Sequence, residues 1–463
     1  MPGPDPGSFR DPASRVFDLD GRVLRALGEE AADDFAALEG SRLYADALAT
    51  GDVVATHRLD AVPDGVDGEW VAALEHDRIP VISYPYEWTF EMLRDAALLT
   101  LTLTERAIDE GLITKDATPY NVQFAGCHPT FIDVGSFEQL RRGEVWFGYR
   151  QFCQLFLNPL LLQAKRRIPF QPWLRGSLEG ITPADAASTL RTRDKLRGGA
   201  FTNVVLHARL EQRYAASDRD LRAEGKAAGL GPVILKAQVR KLRKAVTKLR
   251  WKPGESEWSG YSERAHYGDD DLAAKSDLVQ RVAAQRHRGQ VLDLGANDGY
   301  FTDLALPHAD YAVAVDADPV VVDTLYRHLR ERDERKVLPL TVDLADPSGG
   351  IGWRGRERPP FAERVQPDLV LFLAVVHHMA ITRTIPLDEI AELLAGWRCE
   401  VVAELPLPDD PMVQRLMRSK RDRRFDRYRR EEWEAALAPR FEVVEQQTLP
   451  SATRVLYHLR PRG

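Results

Sequence analysis

The chain runs to 463 residues with a formal net charge of −7, 44% apolar and 29% charged residues, an ordinary soluble composition at a length beyond one hydrophobic core. Its acidic total argues against a dedicated nucleic-acid binder, and the three scattered cysteines, Cys127, Cys153 and Cys399, support neither a disulfide framework nor a cysteine-rich zinc site. With no apolar signal core at the N-terminus and no run near the ~18–20 apolar residues of a membrane span, a cytoplasmic protein without a membrane partner is expected.

Residues 1–14 are polar and turn-rich and read as a disordered leader. Arg22 to Leu27 has the composition of a strand, and Glu29 to Ala49 carries Phe35, Leu38, Leu43 and Leu48 at helical spacing. Ile79 to Trp88 reads as a short buried strand running into a proline-marked turn. Thr89 to Glu110 is a strongly apolar helix, with Gly111 placed to cap it.

The next stretch carries chemistry. Asp116 is followed five residues later by Asn121, and a strand then ends in Asp133-Val134-Gly135. Phosphoryl transfer asks for this set: a carboxylate at the hydroxyl, and an amide and second carboxylate on magnesium. The segment resembles the C-terminal lobe of protein-kinase-like and aminoglycoside-phosphotransferase-like folds. The resemblance implies Asp116 as catalytic carboxylate and Asn121 and Asp133 as metal ligands. Thr114 stands where that pattern has histidine, and residues 15–80 hold neither a glycine-rich loop nor a strand with a phosphate-binding lysine. The alternative is that Asp116 and Asn121 tie a loop together through backbone bonds.

Phe147 to Leu162 turns helical, with Tyr149, Phe152, Phe156 and Leu160 at core spacing, and residues 163–230 read as short helices without a chemical motif. Ile234 to Arg250 is amphipathic. Leu235, Val239, Leu242, Val246 and Leu249 form one seam, and Lys236, Arg240, Lys241, Arg243, Lys244 and Lys248 occupy the other faces. A docking helix with a solvated basic face explains this better than an RNA-binding one, given the acidic total. The expected organisation is a kinase-like α+β domain over 15–162, a helical linker region over 163–255, and a Rossmann-like α/β domain over 256–463.

That last domain is built around Val291 to Phe301, where a short apolar strand ends at Asp293 and the turn Gly295-Ala296-Asn297-Asp298-Gly299 opens a helix. This is the strand–turn–helix that holds nucleotide-like ligands in doubly wound folds. Asn297 replaces the glycine that lets a pyrophosphate approach, which points to an adenosyl ligand such as S-adenosylmethionine rather than NAD. A second strand, Tyr311 to Asp316, ends in an acid close to the ~20 residues expected before a ribose-binding carboxylate. Asp318 is the fallback ligand or a helix cap. A third strand ends at Asp343, placed to accept from an adenine amine or to cap a loop. A fourth, Pro367 to Ala374, runs into His377 and His378. A fifth ends at Glu404, and Phe441 to Gln446 with Arg454 to Arg460 close the chain as a hairpin.

These parts in this order resemble the class I S-adenosylmethionine-dependent methyltransferases over about residues 258–463. More loosely, the whole chain resembles bacterial two-part proteins joining a kinase-like lobe to such a methyltransferase, some described as nodulation-protein-like. The resemblance implies a mostly parallel sheet with a terminal antiparallel hairpin. It assigns Asp293, Gly295, Asn297 and Gly299 to the cofactor turn, Asp316 to the ribose and Asp343 to the adenine. His377 and His378 are the candidate bases, with Glu404 a second candidate, and Trp258, Tyr261 and Tyr267 a candidate lid. The expected reaction is methyl transfer to a small-molecule or glycan-like acceptor. The alternatives are a phosphotransferase using Asp116, Asn121 and Asp133, and a non-catalytic scaffold.

Overall fold

Asp20 and Gly21, at φ 52° and 80°, form the two-residue loop of the first hairpin, the left-handed pair that such tight turns require. They join β2 (Ser14–Leu19) to β3 (Arg22–Leu27). The computed structural model describes residues 3–141, 143, 145–191, 231–253, 268–418 and 427–462. The chain forms two units, Met1–Gly254 with Gly350–Pro359, and Glu255–Gly349 with Pro360–Gly463.

In the first unit β2 and β3 join β1 (Gly3–Pro4), β4 (Thr56–Arg58) and β5 (Ala72–His76) in an antiparallel sheet of order β1-β2-β3-β5-β4. Phe17, Leu24, Ala26 and Val66 pack against one another at its core. The expected disordered leader is instead paired from Gly3 onward. β1 bonds β2, the Asp5 N–H donates to the Val16 carbonyl, and the Asp11 carboxylate accepts from the Ala13 N–H.

The helix expected over Glu29 to Ala49 is two helices, Glu29–Glu39 and Arg42–Thr50. Gly40 ends the first, and the Ser41 hydroxyl accepts from the Tyr44 N–H to start the second. Thr89 caps Phe90–Asp109 in the same way. The strand expected at Ile79 is a loop with one 3₁₀ turn, Pro85–Glu87. Pro80 and Pro85 remove ladder donors, and the Gln123 amide bonds both the N–H (2.8 Å) and the carbonyl (3.0 Å) of Ser83 where a neighbouring strand would.

Two small antiparallel pairs follow: β6 (Leu112–Thr114) with β9 (Phe137–Gln139), and β7 (Val122–Ala125) with β8 (His128–Phe131). Phe152 and Phe156 are fully buried, so these aromatics are core. The amphipathic helix Pro232–Thr247 buries Leu235, Val239, Leu242 and Val246 and packs along Phe90–Asp109. Three of its basic residues pair there: Arg240 and Arg243 reach the Glu105 carboxylate at 2.6 and 3.0 Å, and Lys236 pairs with Asp109, while Lys241, Lys244 and Lys248 are exposed. Gly350–Pro359 belongs to this unit as well, with Glu357 held by both Nε and Nη2 of Arg10.

The second unit is a seven-stranded mixed sheet between helices, of order β12-β11-β10-β13-β14-β16-β15. Its strands are β10 (Arg288–Leu294), β11 (Ala309–Asp316), β12 (Val337–Thr341), β13 (Leu369–Phe372), β14 (Glu400–Pro406), β15 (Phe441–Thr448) and β16 (Arg454–Pro461). The first five are parallel, and the near-continuous apolar runs of β10, β11 and β13 are what burial on both faces demands. The closing hairpin is antiparallel, with β16 inserted between β14 and β15. From β10 the chain moves outward to β11 and β12, then returns to the other side of β10 as β13. That reversal opens a crevice at the carboxyl ends of β10 and β13, where doubly wound sheets take their ligands. No helix among the described residues is long and apolar enough to cross a membrane.

Candidate functional site

The crevice holds a cavity of about 390 Å³, walled by the Gly295–Phe301 turn, the ends of β11 and β12, and the segment after β13. The turn's shape comes from its backbone. Gly295, Asn297 and Gly299 sit at φ 84°, 49° and 81°, a region open to glycine and at modest cost to asparagine. The Gly295 and Ala296 N–H groups both donate to the Val315 carbonyl, at 2.8 and 2.9 Å. A Cβ on Gly295 would meet Val375 Cγ2 at 2.6 Å, and one on Gly299 would meet Leu325 Cδ1 at 2.8 Å. Packing therefore demands these glycines whether or not a ligand is present.

Three strand-end carboxylates line the cavity: Asp293, Asp316 and Asp343. Asp293 is buried and accepts from the Thr302 hydroxyl at 2.7 Å. Burial, with Asp316 adding to it, pushes its carboxyl up to about 7. Asp316 takes the Asn297 N–H at 3.2 Å on one oxygen and the Asp318 N–H at 3.0 Å on the other. The Ala317 N–H also bonds this carboxylate, which offers about four lone-pair sites in all. Burial raises its pKa against the pull of these bonds. Asp318 caps the helix Pro319–Glu331 through the Val320 N–H at 2.8 Å. Asp343 is engaged at both oxygens, by the Ala345 N–H at 3.0 Å and by Arg383.

The two histidines separate. His378 lines the cavity and opens a π turn, His378–Thr382, while His377 is 1% exposed and does not line it. Their rings lie 4.0 Å apart. Burial, then Arg454, lowers His378 to about 4, and burial with His378, Arg454 and Lys275 lowers His377 well below its usual value. Both imidazoles are neutral at physiological pH. Ala374, just upstream on the cavity wall, holds φ 56°, and such strain in a residue with a Cβ, like a π turn, is frequent at functional sites.

Glu404 is fully buried and does not line the cavity. Its carboxylate pairs with Lys275 at 2.5 Å and Arg454 at 3.0 Å, and Arg454 also holds Asp410 at 2.7 Å. Against the upward push of burial, the two cations keep Glu404 below the usual carboxylate range. Lys275 itself reaches the cavity wall, beside the Phe301 ring at 4.8 Å. Sequence reasoning passed over it, yet the signal was present: Lys275 falls on the stripe of Leu278, Val279 and Val282 that the helix Asp269–Ala284 buries. Trp258, Tyr261 and Tyr267 lie outside the described residues.

In the first unit Asp116 accepts from Gln151 Nε2 at 2.9 Å and Asp133 pairs with Arg25 at 2.8 Å. Burial raises the Asp116 carboxyl, and Asp133 adds to that rise. Asn121 lies buried on the loop between them, and its carbonyl accepts from the Ile132 N–H at 2.8 Å.

No family model matches the sequence. The nodulation protein NoeA of Rhizobium meliloti (strain 1021) is 34% identical over 461 residues, which cover 98% of this chain and 96% of that protein. Among solved structures, the chain is similar to the N-methyltransferase NodS from Bradyrhizobium japonicum WM9 in complex with S-adenosyl-l-homocysteine, at 12% identity, 45% of this chain, 100% of that chain and a TM-score of 0.32. It is also similar to magnesium protoporphyrin IX methyltransferase from Synechocystis PCC 6803 with bound SAH, at 16% identity, 44% of this chain, 94% of that chain and a TM-score of 0.30.

Proposed function

The chain belongs to the family of the nodulation protein NoeA, and from that premise we propose that its second unit is a methyltransferase that uses S-adenosylmethionine to methylate a small-molecule or glycan-like acceptor. The observation that carries this reading is the convergence of the glycine turn and the carboxylates of Asp293, Asp316 and Asp343 on one cavity. Its volume of about 390 Å³ lies within the ~300–1,000 Å³ of small-molecule sites. In this reading Gly295, Asn297 and Gly299 shape the turn around the amino-acid end of the cofactor, and Asp293 faces its cationic groups. Asp316 accepts from the ribose hydroxyls beside its backbone bonds. Asp343 shares its carboxylate between Arg383 and the adenine amine.

The cofactor supplies a methyl group on a sulfonium, ready for in-line displacement. The protein's part is then chiefly positioning, which can supply much of the rate. His378 is the residue at the acceptor end; its neutral ring takes a hydrogen bond from an acceptor hydroxyl or amine and receives its proton. With a conjugate acid near pH 4 it is too weak to ionise the acceptor beforehand, and it would take the proton as the acceptor's new bond forms or after it. In this reading His377 packs against that ring, 4.0 Å away, and does not reach the acceptor.

Calorimetric titration with S-adenosylmethionine and S-adenosylhomocysteine tests the cofactor. Wild type is expected to bind both, and Asp316→Ala to lose about 3 kcal/mol, roughly 100-fold in affinity, for two charge-assisted hydrogen bonds. No heat from either ligand with folded wild-type protein ends the proposal. Transfer of a labelled methyl group into a cell extract, with the product identified by mass, then names the acceptor.

A further inference from the structure

The first unit gathers a second set of chemistry-bearing residues that the proposed methyl transfer does not use. Asp116, Asn121 and Asp133 have the spacing of a phosphotransferase loop, in which the amide and the second carboxylate hold a divalent cation against a nucleotide's phosphates. Whether these residues fit such a cation depends on what already faces them.

What faces Asp133 is Arg25. Its Nη1 lies 2.8 Å from Asp133 Oδ1 and donates to the Ser14 hydroxyl at 3.0 Å. Its Nε donates to His76 Nε2 at 3.3 Å. His76 can only accept there because it is neutral: burial, then Arg25 itself, lowers it to about 3. With Nε2 accepting, the ring proton sits on Nδ1 and goes to the Thr56 hydroxyl at 2.8 Å. Gly135 completes the slot, since a Cβ on it would stand 3.1 Å from Arg25 Nη1. Arg25 is 8% exposed, so this guanidinium is built in.

Asp116 is committed too. It accepts from Gln151 at 2.9 Å, and Lys115 beside it pairs with Asp11 at 3.2 Å. Among the described residues no group of three or more His, Cys, Asp or Glu could hold a metal ion. A dication at Asp133 would have to displace or approach a fixed guanidinium, and like charges in a half-buried site repel strongly. In kinase-like sites the basic residue of a lobe strand reaches the phosphates; here Arg25, on β3, is spent on the carboxylate.

We propose that Arg25 is the resident cation of this site, standing at Asp133 where a divalent metal would bind, so that the pair clamps β3 to the loop carrying Asp133 and the first unit carries out no metal-dependent phosphoryl transfer. The disagreement between the loop's spacing and its contacts is the finding.

Manganese binding to the full-length chain, followed by the loss of the free-ion resonance and by thermal melting, tests it. Wild type is expected to melt alike in chelator and in millimolar manganese, with or without ATP. Arg25→Met frees the Asp133 carboxylate and is expected to tighten manganese binding at least about tenfold, a gain lost in Arg25→Met/Asp133→Asn. If Arg25→Met does not fold, Asp133→Asn decides. The clamp predicts the same lowering of its melting temperature in chelator and in manganese. A metal site predicts a wild-type melting temperature that rises with manganese and a variant that has lost the rise. That second pattern overturns the proposal, as does a folded Arg25→Met that binds manganese no better than wild type.

Discussion

The two units place carboxylates at the same kind of position, at the end of a strand or in the loop that follows it, and treat them in opposite ways. In the first unit Asp133 faces Arg25 and Asp116 faces Gln151. In the second, Asp293 and Asp316 take bonds from Thr302 and from backbone N–H groups and still front an open volume of about 390 Å³. Glu404 belongs to the second unit but behaves as the first does, closed in by Lys275 and Arg454. A strand-end acid thus marks where a ligand site can form. It becomes one only where the protein has left the space ahead of it unfilled.

The closed kind of site breaks hardest. Lys275→Met leaves Glu404, fully buried, with Arg454 alone, and removing one partner from a buried ion cluster costs about 3–5 kcal/mol. Urea denaturation is expected to show a loss near the lower figure, and Lys275→Met/Glu404→Leu to recover part of it. A loss below about 1 kcal/mol, the range of exposed pairs, would mean that the cluster is not closed. The open kind depends on its turn. Gly295→Ala meets both a φ of 84° and Val375 Cγ2 at 2.6 Å, costs of about 1–3 kcal/mol. Adding Val375→Ala relieves the clash and leaves the backbone strain, so calorimetric melting separates the two.

Asp293 distinguishes the open site by pH. With its carboxyl near 7, it is largely neutral on the acid side and ionised on the alkaline side. In the proposed reading, affinity for the cationic cofactor rises by up to about tenfold from about pH 6 to about pH 8, and Asp293→Asn flattens the curve. The unliganded fold runs the other way: a carboxyl raised above its unfolded value of 3.8 contributes stability that is full below that value and lost as pH rises through 7. A cofactor affinity independent of pH would detach Asp293 from the ligand.

The second unit was legible in the sequence because its signals are local. The apolar run into Asp293, the bracketed turn and the recurrence of acids at strand ends fix elements and order. Asn297 in the left-handed region is readable from its residue type alone. What escaped was set by partners far along the chain. Whether His377 or His378 reaches the cavity depends on the π turn at His378–Thr382, and Glu404 became an ion-cluster member only through Lys275 and Arg454. In the first unit the Asp20-Gly21 pair carries the signal of a hairpin, yet of its two strands only Arg22–Leu27 was expected and Ser14–Leu19 was not. Arg25 carried no motif. Its commitment to Asp133 joins residues 108 positions apart, and spacing holds no record of that.

A last comparison sets one histidine of each unit against the other. His76 is lowered from 6.5 to about 3 and His378 from 6.5 to about 4, so in both cases the unfolded chain binds the proton more readily. Stability from each is fully present above pH 6.5 and falls as acid carries the chain toward the folded value, by at most about 1.4 kcal/mol per pH unit. His76→Gln keeps the acceptor for Arg25 and the donor for Thr56 while removing the titration. Urea denaturation at successive pH values is expected to show a shallower acid limb for this variant, by the same amount with and without S-adenosylhomocysteine, because the Arg25–His76–Thr56 chain is closed on itself. His378→Gln is also expected to be shallower, but by an amount that changes when the ligand is present, since His378 lines the cavity. If the ligand alters the His76 difference and leaves the His378 difference untouched, the open and closed sites have been assigned the wrong way round.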